Sequence, residues 1–187
     1  MQNLRLFIAI DVPDSLKNSL TELQRTIFAD SSVKLVEQQN LHLTLKFLGE
    51  TPGDKCPDIV QAMQQTVIGC PPFQLRLHGL GIFPTRGNPK VVWVGIGGAR
   101  GKLITLQQNL EQNLAGFGFP AEGRKYSPHL TLGRLREPLN LNQLQTNIGR
   151  YREQEFGAWQ VSAIKLMQST LTKAGPIYKV LATIPLG

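Results

Sequence analysis

The 187-residue sequence is poor in several residue types, and each shortage excludes something. It has two cysteines, Cys56 and Cys70, each followed by proline and standing 14 positions apart. They make no Cys-x-x-Cys pair, and two thiols cannot complete a tetrahedral zinc site, so both read as reduced, structurally minor residues. No apolar run approaches the ~20 residues of a membrane-spanning helix. The opening Met1-Gln2-Asn3-Leu4-Arg5 runs into an alternating segment, where a secretory signal would carry a long apolar block. An integral membrane protein is therefore excluded, and a cytoplasmic location is the expectation. Charged residues make up only 18% and hydrophobic ones 41%, which excludes a coiled-coil or disordered chain. Acid is scarcer than base, 13 Asp and Glu against 20 Lys and Arg, for a formal charge of +7. Such an excess leans toward polyanionic partners: nucleic acid, nucleotides or anionic lipid.

What is present reads as interspersed strands and helices. Leu4–Asp11 alternates as a strand. Pro13-Asp14-Ser15 opens a helix with Leu16, Leu20, Leu23 and Ile27 on one stripe. Leu41–Leu48 is a second strand ended by Gly49, and a weaker helix follows over Asp54–Val67, with Pro57 in its first turn. Phe73–His78 and Val91–Ile96 are strands around a loop from Phe83 to Pro89. Leu103, Leu106, Leu110 and Leu114 mark a helix over Gly101–Ala115, stopped by Gly116. His129–Arg134 is a strand, and Leu141, Leu144 and Ile148 mark a short helix. Two long strands, Trp159–Leu171 and Ile177–Ile184, close the chain. Strands outnumber helices, which favours α+β with largely antiparallel sheets.

One internal repeat carries chemistry. Leu41-His42-Leu43-Thr44-Leu45-Lys46-Phe47-Leu48-Gly49-Glu50 aligns with Pro128-His129-Leu130-Thr131-Leu132-Gly133-Arg134-Leu135-Arg136-Glu137, identical at six of ten positions. Two of the chain's three histidines fall at the same place in it. On a strand, positions i and i+2 share a face. His42 and Thr44 therefore project together, while Leu41, Leu43, Leu45 and Phe47 face a core; His129 and Thr131 repeat the arrangement over Leu130 and Leu132. If two lobes face each other across a pseudo-twofold axis, two imidazoles and two hydroxyls converge on one cleft. That set fits in-line phosphoryl transfer, with one imidazole accepting a proton from water and the other donating one to the leaving oxygen. The hydroxyls and nearby cations suit the non-bridging oxygens. Two histidines without a carboxylate or cysteine cluster make a poor metal shell, so neither metal nor cofactor is expected.

With these motifs the sequence resembles the 2H phosphoesterase superfamily, and more narrowly the RNA 2′,3′-cyclic phosphodiesterases, also called 2′-5′ RNA ligases. The resemblance runs through Arg5–Asp11, Asn40–Glu50, Val92–Gly95, Pro128–Arg134 and Gly175–Tyr178. It implies a single bilobal domain over residues 1–187, with one His-x-Thr motif per lobe, two pseudo-twofold-related antiparallel sheets forming a central cleft, and helices outside. It implies that His42 is the proton donor, that His129 is the proton acceptor, and that Thr44 and Thr131 hold the phosphate. The implied reaction opens a 2′,3′-cyclic phosphate at an RNA end to a 2′-phosphate, and in reverse forms a 2′-5′ linkage without ATP. The partner is then RNA with a cyclic phosphate end, as on tRNA halves or oligonucleotides, and the protein a monomer.

Other residues are candidates only. Lys46 shares the His42–Thr44 face by alternation and is a candidate phosphate ligand. Arg134 lies five past His129, nominally on the opposite face, and needs a twist or bulge to reach the cleft. Phe7, on the strand face away from Leu4, Leu6 and Ile8, is a candidate for stacking a base. Arg124, Lys125 and His78 read as surface residues. A phosphodiesterase for small cyclic nucleotides and a non-catalytic RNA-binding module are the competing functions; the charge favours longer RNA, and two intact motifs count against an idle site.

Overall fold

The computed structural model describes residues 2–28, 33–135 and 141–187, the side chains of 141–143 excepted. The repeat positions Arg136 and Glu137, and the Leu141 side chain, lie outside the described residues. The elements run β1 (Asn3–Asp11), α1 (Asp14–Ile27), β2 (Val33–Leu35), β3 (His42–Pro52), α2 (Cys56–Val67), β4 (Phe73–Phe83), β5 (Val91–Gly98), α3 (Arg100–Ala115), β6 (His129–Leu135), α4 (Leu141–Arg150), β7 (Glu155–Val161), β8 (Ala163–Leu171) and β9 (Pro176–Pro185). The fold is α+β, with two antiparallel sheets in the strand orders β3-β1-β8-β9 and β2-β6-β5-β4-β7.

The two sheets repeat one plan. In each, a strand runs into a helix that returns to an antiparallel neighbour beginning with histidine: β1–α1–β3 in the first, β5–α3–β6 in the second. The helices are amphipathic, and their stripes bury Leu20, Leu23 and Ile27 on α1 and Leu103, Leu106, Leu110 and Leu114 on α3. They do not cover the sheet they connect. Helix α1 joins two strands of the first sheet but packs on β6 and β7 of the second, whereas α3 joins strands of the second sheet and packs on β3 and on α2. This exchange fuses the apolar faces into one buried cluster with members from both sheets.

Several boundaries differ from the pattern reading. The segment expected as one strand over Trp159–Leu171 is two strands in different sheets, β7 and β8, divided at Ser162. The Ser162 carbonyl accepts the Leu186 N–H at 2.9 Å outside either ladder, so the chain changes sheets there. Gly49 does not end β3; it takes φ +72° and the strand continues to Pro52. Such a φ is nearly free only for glycine. Gly79 likewise carries β4 past His78, with φ +68°. Strand β2 escapes the pattern reading, because three residues are too short a run for alternation to register.

The sharpest departure concerns the motif strands. Alternation holds from His42 to Thr44 and then slips: Ala9 pairs with Thr44 but Ile8 pairs with Lys46, leaving Leu45 as the extra residue of a β-bulge. On β6, Trp93 pairs with Thr131 and Val92 with Gly133, leaving Leu132 extra. Each bulge reverses the phase of the residues after it. Phe47, expected in the core, is instead 63% exposed, and Lys46, expected on the histidine face, is 4% exposed. At the position equivalent to Lys46, β6 has Gly133, where a Cβ would lie 2.6 Å from Val33 Cγ1 on β2. Gly133→Ala should therefore force β2 off β6 and lower stability by about 1–3 kcal/mol. Urea unfolding reads that loss, and adding Val33→Ala should recover most of it.

Candidate active site

Both histidines start their strands, and both are held the same way. His42 Nδ1 lies 2.7 Å from the Asn40 carbonyl, and His129 Nδ1 lies 2.7 Å from the Ser127 carbonyl, in each case two residues upstream. A carbonyl only accepts, so Nδ1 carries the proton in both rings, and Nε2 is left to face the cleft. His42 Nε2 is 2.9 Å from Thr44 Oγ1, the neighbour that alternation placed beside it.

Aromatic rings fix the planes of the imidazoles. Phe7 and Tyr178 flank His42 at centroid distances of 4.9 and 5.4 Å, and Phe83 meets His129 edge-on at 5.1 Å. Burial pulls the His42 pKa below its ordinary value, although the Asn40 hydrogen bond and the nearby Asp11 carboxylate work the other way. Asp11 is the cross-strand neighbour of His42, and its Oδ atoms accept from Lys17 at 2.9 Å and Lys165 at 2.7 Å. Burial works to raise the Asp11 pKa, but these lysines outweigh it and hold the carboxyl below its usual range.

A cleft of about 640 Å³ lies between the motif strands and brings together His42, Thr44, His129 and Thr131. Arg134 joins them because the β6 bulge turns position His129 + 5 back onto the histidine face. Arg5 and Lys34 line the cleft too, Lys34 directly across the ladder from Arg134. Among the described residues none of these three cations has an ion-pair partner. One carboxylate, Glu37, lines the cleft. The balance at its wall is cationic, which suits a phosphate.

Lys46 is not part of this set. Its ammonium points into the interior, 2.6 Å from Glu111 on α3 and 2.9 Å from the Pro120 carbonyl, because the bulge at Leu45 reverses its direction. Phe7 lines the cleft but is 3% exposed, its ring already covered by His42, Tyr178 and Phe47, so no free face remains for a base. Phe47 is an exposed apolar ring that lines the cleft, beside the half-buried Phe83. His78 stands at the surface 3.8 Å from Glu153. Among the described residues no group of three His, Cys, Asp or Glu side chains is placed to hold a metal ion, and no helix is long and apolar enough to cross a membrane.

Sequence patterns missed three site residues. Asn40 is 5% exposed, and its amide donates to the Pro176 carbonyl at 2.9 Å, anchoring the carbonyl that holds His42. Tyr126 donates its hydroxyl to the Thr44 carbonyl at 2.9 Å, and burial pushes its pKa well up. Tyr178 closes on His42 from β9; burial raises its pKa against the pull of Arg134 and Arg5. Tyr126 and Tyr178 come from segments remote in sequence from the strand they support, while Asn40 adjoins its strand and is itself anchored by the remote Pro176.

The sequence and the architecture have known counterparts. A family model described as the 2′-5′ RNA ligase superfamily matches residues 12–172. The chain belongs to that superfamily. A superfamily relative from Methanocaldococcus jannaschii, named RNA 2′,3′-cyclic phosphodiesterase, is 36% identical over 95% of this chain and 98% of its own. One of the same name from Methanothermobacter thermautotrophicus is 38% identical over 94% and 95%. Among solved structures, TT0787 of Thermus thermophilus superposes with a TM-score of 0.83 at 30% identity, covering 97% of each chain. Escherichia coli LigT complexed with 3′-AMP superposes with a TM-score of 0.81 at 26% identity, covering 98% of each.

The His42 environment makes a prediction independent of catalysis. In the ligand-free protein its ring should titrate below the ordinary histidine value of about 6.5. With a depressed folded pKa, the unfolded chain binds the proton first, so stability is intact above that ordinary value and falls as pH drops through the folded one. A histidine NMR titration, with His42 assigned by His42→Gln, checks this; a midpoint at or above 6.5 refutes it.

Proposed function

We propose that this chain hydrolyses 2′,3′-cyclic phosphates at RNA ends, leaving a 2′-phosphate and a free 3′-hydroxyl. The observation that carries the reading is the pair of Nε2 atoms presented from equivalent strands of two sheets into one cationic cleft, each with its Nδ1 committed to a carbonyl. The names of the relatives and the 3′-AMP in the LigT structure support it. The crossed helices support reading residues 1–187 as a single bilobal unit.

Water attacks phosphorus, and the neutral Nε2 of His129 takes its proton. The bond from phosphorus to the 3′-oxygen breaks in line, and protonated His42 delivers its Nε2 proton to that oxygen. The Thr44 and Thr131 hydroxyls donate to the non-bridging oxygens, and Arg134, with Arg5 and Lys34, offsets the charge that builds there. Run backwards with a 5′-hydroxyl in place of water, the same steps form a 2′-5′ linkage without ATP. Water at its high concentration makes hydrolysis the net direction. Side chains supply every proton transfer in this scheme, so turnover should persist in excess EDTA. Loss on chelation with recovery on adding a divalent ion would refute that point.

The decisive substrate is an oligonucleotide ending in 2′,3′-cyclic phosphate, and formation of a 2′-phosphate end is the expected product. Faster turnover of a mononucleotide cyclic phosphate would move the reading to small cyclic nucleotides, which a cleft of this size also accommodates.

His42→Ala and His129→Ala should each cost on the order of 10²–10⁴ in rate, the range for general acid–base catalysis. A substrate whose 3′-oxygen is replaced by a better leaving group needs no donor, so it should rescue His42→Ala and leave His129→Ala slow. The opposite pattern would reverse the roles. The acid form of His42 is present below its pKa and lost as pH rises through it. Because burial depresses that pKa, the lower limb of a bell-shaped kcat/KM profile, whose limbs belong to the two imidazoles as a pair, should lie below the ordinary histidine value, a direction read from the pH profile of the wild-type protein.

A further inference from the structure

Each motif strand carries a bulge, and a bulge leaves its extra residue without a ladder partner. Leu45 and Leu132, the extra residues directly after each threonine, are 2% and 0% exposed, so their carbonyls cannot rely on water. A glutamine from the crossing helix meets each one. Gln24 of α1 donates Nε2 to the Leu132 carbonyl at 2.7 Å, which also accepts the Val36 N–H at 2.8 Å, and to the Val36 carbonyl at 2.8 Å, so it locks this carbonyl together with the residue that follows β2. Gln107 of α3 donates Nε2 to the Leu45 carbonyl at 3.5 Å and to Glu111 Oε1 at 3.0 Å, and the other oxygen of Glu111 takes Lys46, the next residue of that bulge. Both glutamines are buried, at 2% and 6% exposure.

The glutamines also stand in matching sequence. Leu20-Thr21-Glu22-Leu23-Gln24-Arg25-Thr26-Ile27 and Leu103-Ile104-Thr105-Leu106-Gln107-Gln108-Asn109-Leu110 share the pattern Leu-x-x-Leu-Gln-x-x-aliphatic. In each, glutamine occupies a position of the buried stripe where a helix ordinarily carries an apolar residue. A second repeat thus accompanies the histidine repeat, and the fold joins them crosswise.

We propose that Gln24 and Gln107 are positioning residues acting across the two sheets: Gln24, on the helix of the first sheet, sets the strand that carries His129, and Gln107, on the helix of the second, sets the strand that carries His42. The bulge carbonyl follows Thr131 or Thr44 directly. It sits where the strand changes phase, between the histidine–threonine pair and the next cleft residue, Arg134 or Phe47. Holding that carbonyl fixes the angle between the two halves of each strand and hence the aim of all three side chains. The β6 clamp is the tighter; on β3 the longer contact is shared with the Glu111–Lys46 pair. The catalytic consequence rests on the acid–base roles proposed above.

Gln24→Met keeps the volume and removes the donor. It should lower kcat roughly ten- to hundredfold with little change in KM, the size expected for a small misplacement of catalytic groups. Gln107→Met should cost less, on the order of threefold to tenfold, because its bond is longer and shared. A merely structural role would lower Tm and treat all substrates alike. Here the better leaving group should restore Gln107→Met, whose fault lies with the donor strand, and leave Gln24→Met slow. The ring resonances of ligand-free protein give a readout independent of turnover: Gln24→Met should move those of His129 and spare His42, and Gln107→Met the reverse. Each variant disturbing the histidine of its own sheet, or both histidines equally, overturns the proposal, as does unchanged kcat in both variants. Should Gln24→Met fail to fold, Gln24→Asn, which draws the amide back by one methylene, carries the same expectations at smaller size. A crosswise resonance pattern in a protein inert toward cyclic phosphate ends would keep the positioning role and refute the reaction.

Discussion

A strand of strict alternation offers side chains to one face at i, i+2 and i+4, and nothing in it turns a corner. Both motif strands here depart from that after the threonine, and a buried backbone carbonyl at the departure must find a donor outside the ladder. Much of the site follows from how the donors are supplied. Gln24 and Gln107 reach those carbonyls only because α1 and α3 lie over the sheet opposite to the one they connect. The bulges in turn send Phe47 and Arg134 into the cleft and Lys46 out of it. The helix exchange that meets this local need also merges the two apolar faces into a single core.

Charge is distributed to match. Lys17 and Lys165 hold Asp11 beside His42, and Lys46 is matched by Glu111 in the interior. A buried pair of that kind costs about as much in desolvation as it returns, so its value lies in tying β3 to α3 rather than in stability. The cations left without partners among the described residues include Arg5, Lys34 and Arg134, which share the cleft with both histidines. The uncompensated charge is therefore placed where a phosphate would bring its own negative charge, and the excess of base over acid has at least one address.

The two copies of the plan are not equal, and the inequalities matter for chemistry. His42 is boxed by Phe7 and Tyr178 and loses basicity through burial, whereas His129 has Phe83 edge-on. Where β3 is a sheet edge, β6 is covered by β2, which is why Lys46 has glycine as its counterpart. At His + 5 one copy offers an aromatic ring and the other a guanidinium. The two imidazoles are therefore not interchangeable.

The sequence by itself determined the α+β class, the helix stripes and the His-x-Thr pairs, because those depend on periods of 3.6 and 2 that neighbouring residues impose on each other. It also held the glutamine repeat, legible as a polar residue inside an apolar stripe at matching places. What it did not determine was everything beyond the bulges: a one-residue slip reverses every later side chain, and the runs Leu45-Lys46-Phe47-Leu48 and Leu132-Gly133-Arg134-Leu135 do not mark it in their hydrophobic pattern. Lys46, Phe47 and Arg134 were for that reason decided by tertiary structure. So were the division at Ser162 and the supports Asn40, Tyr126 and Tyr178, whose partners lie far along the chain. Local sequence sets which face a residue would take in an ideal strand; only the packing of helix on strand decides where that ideal is broken.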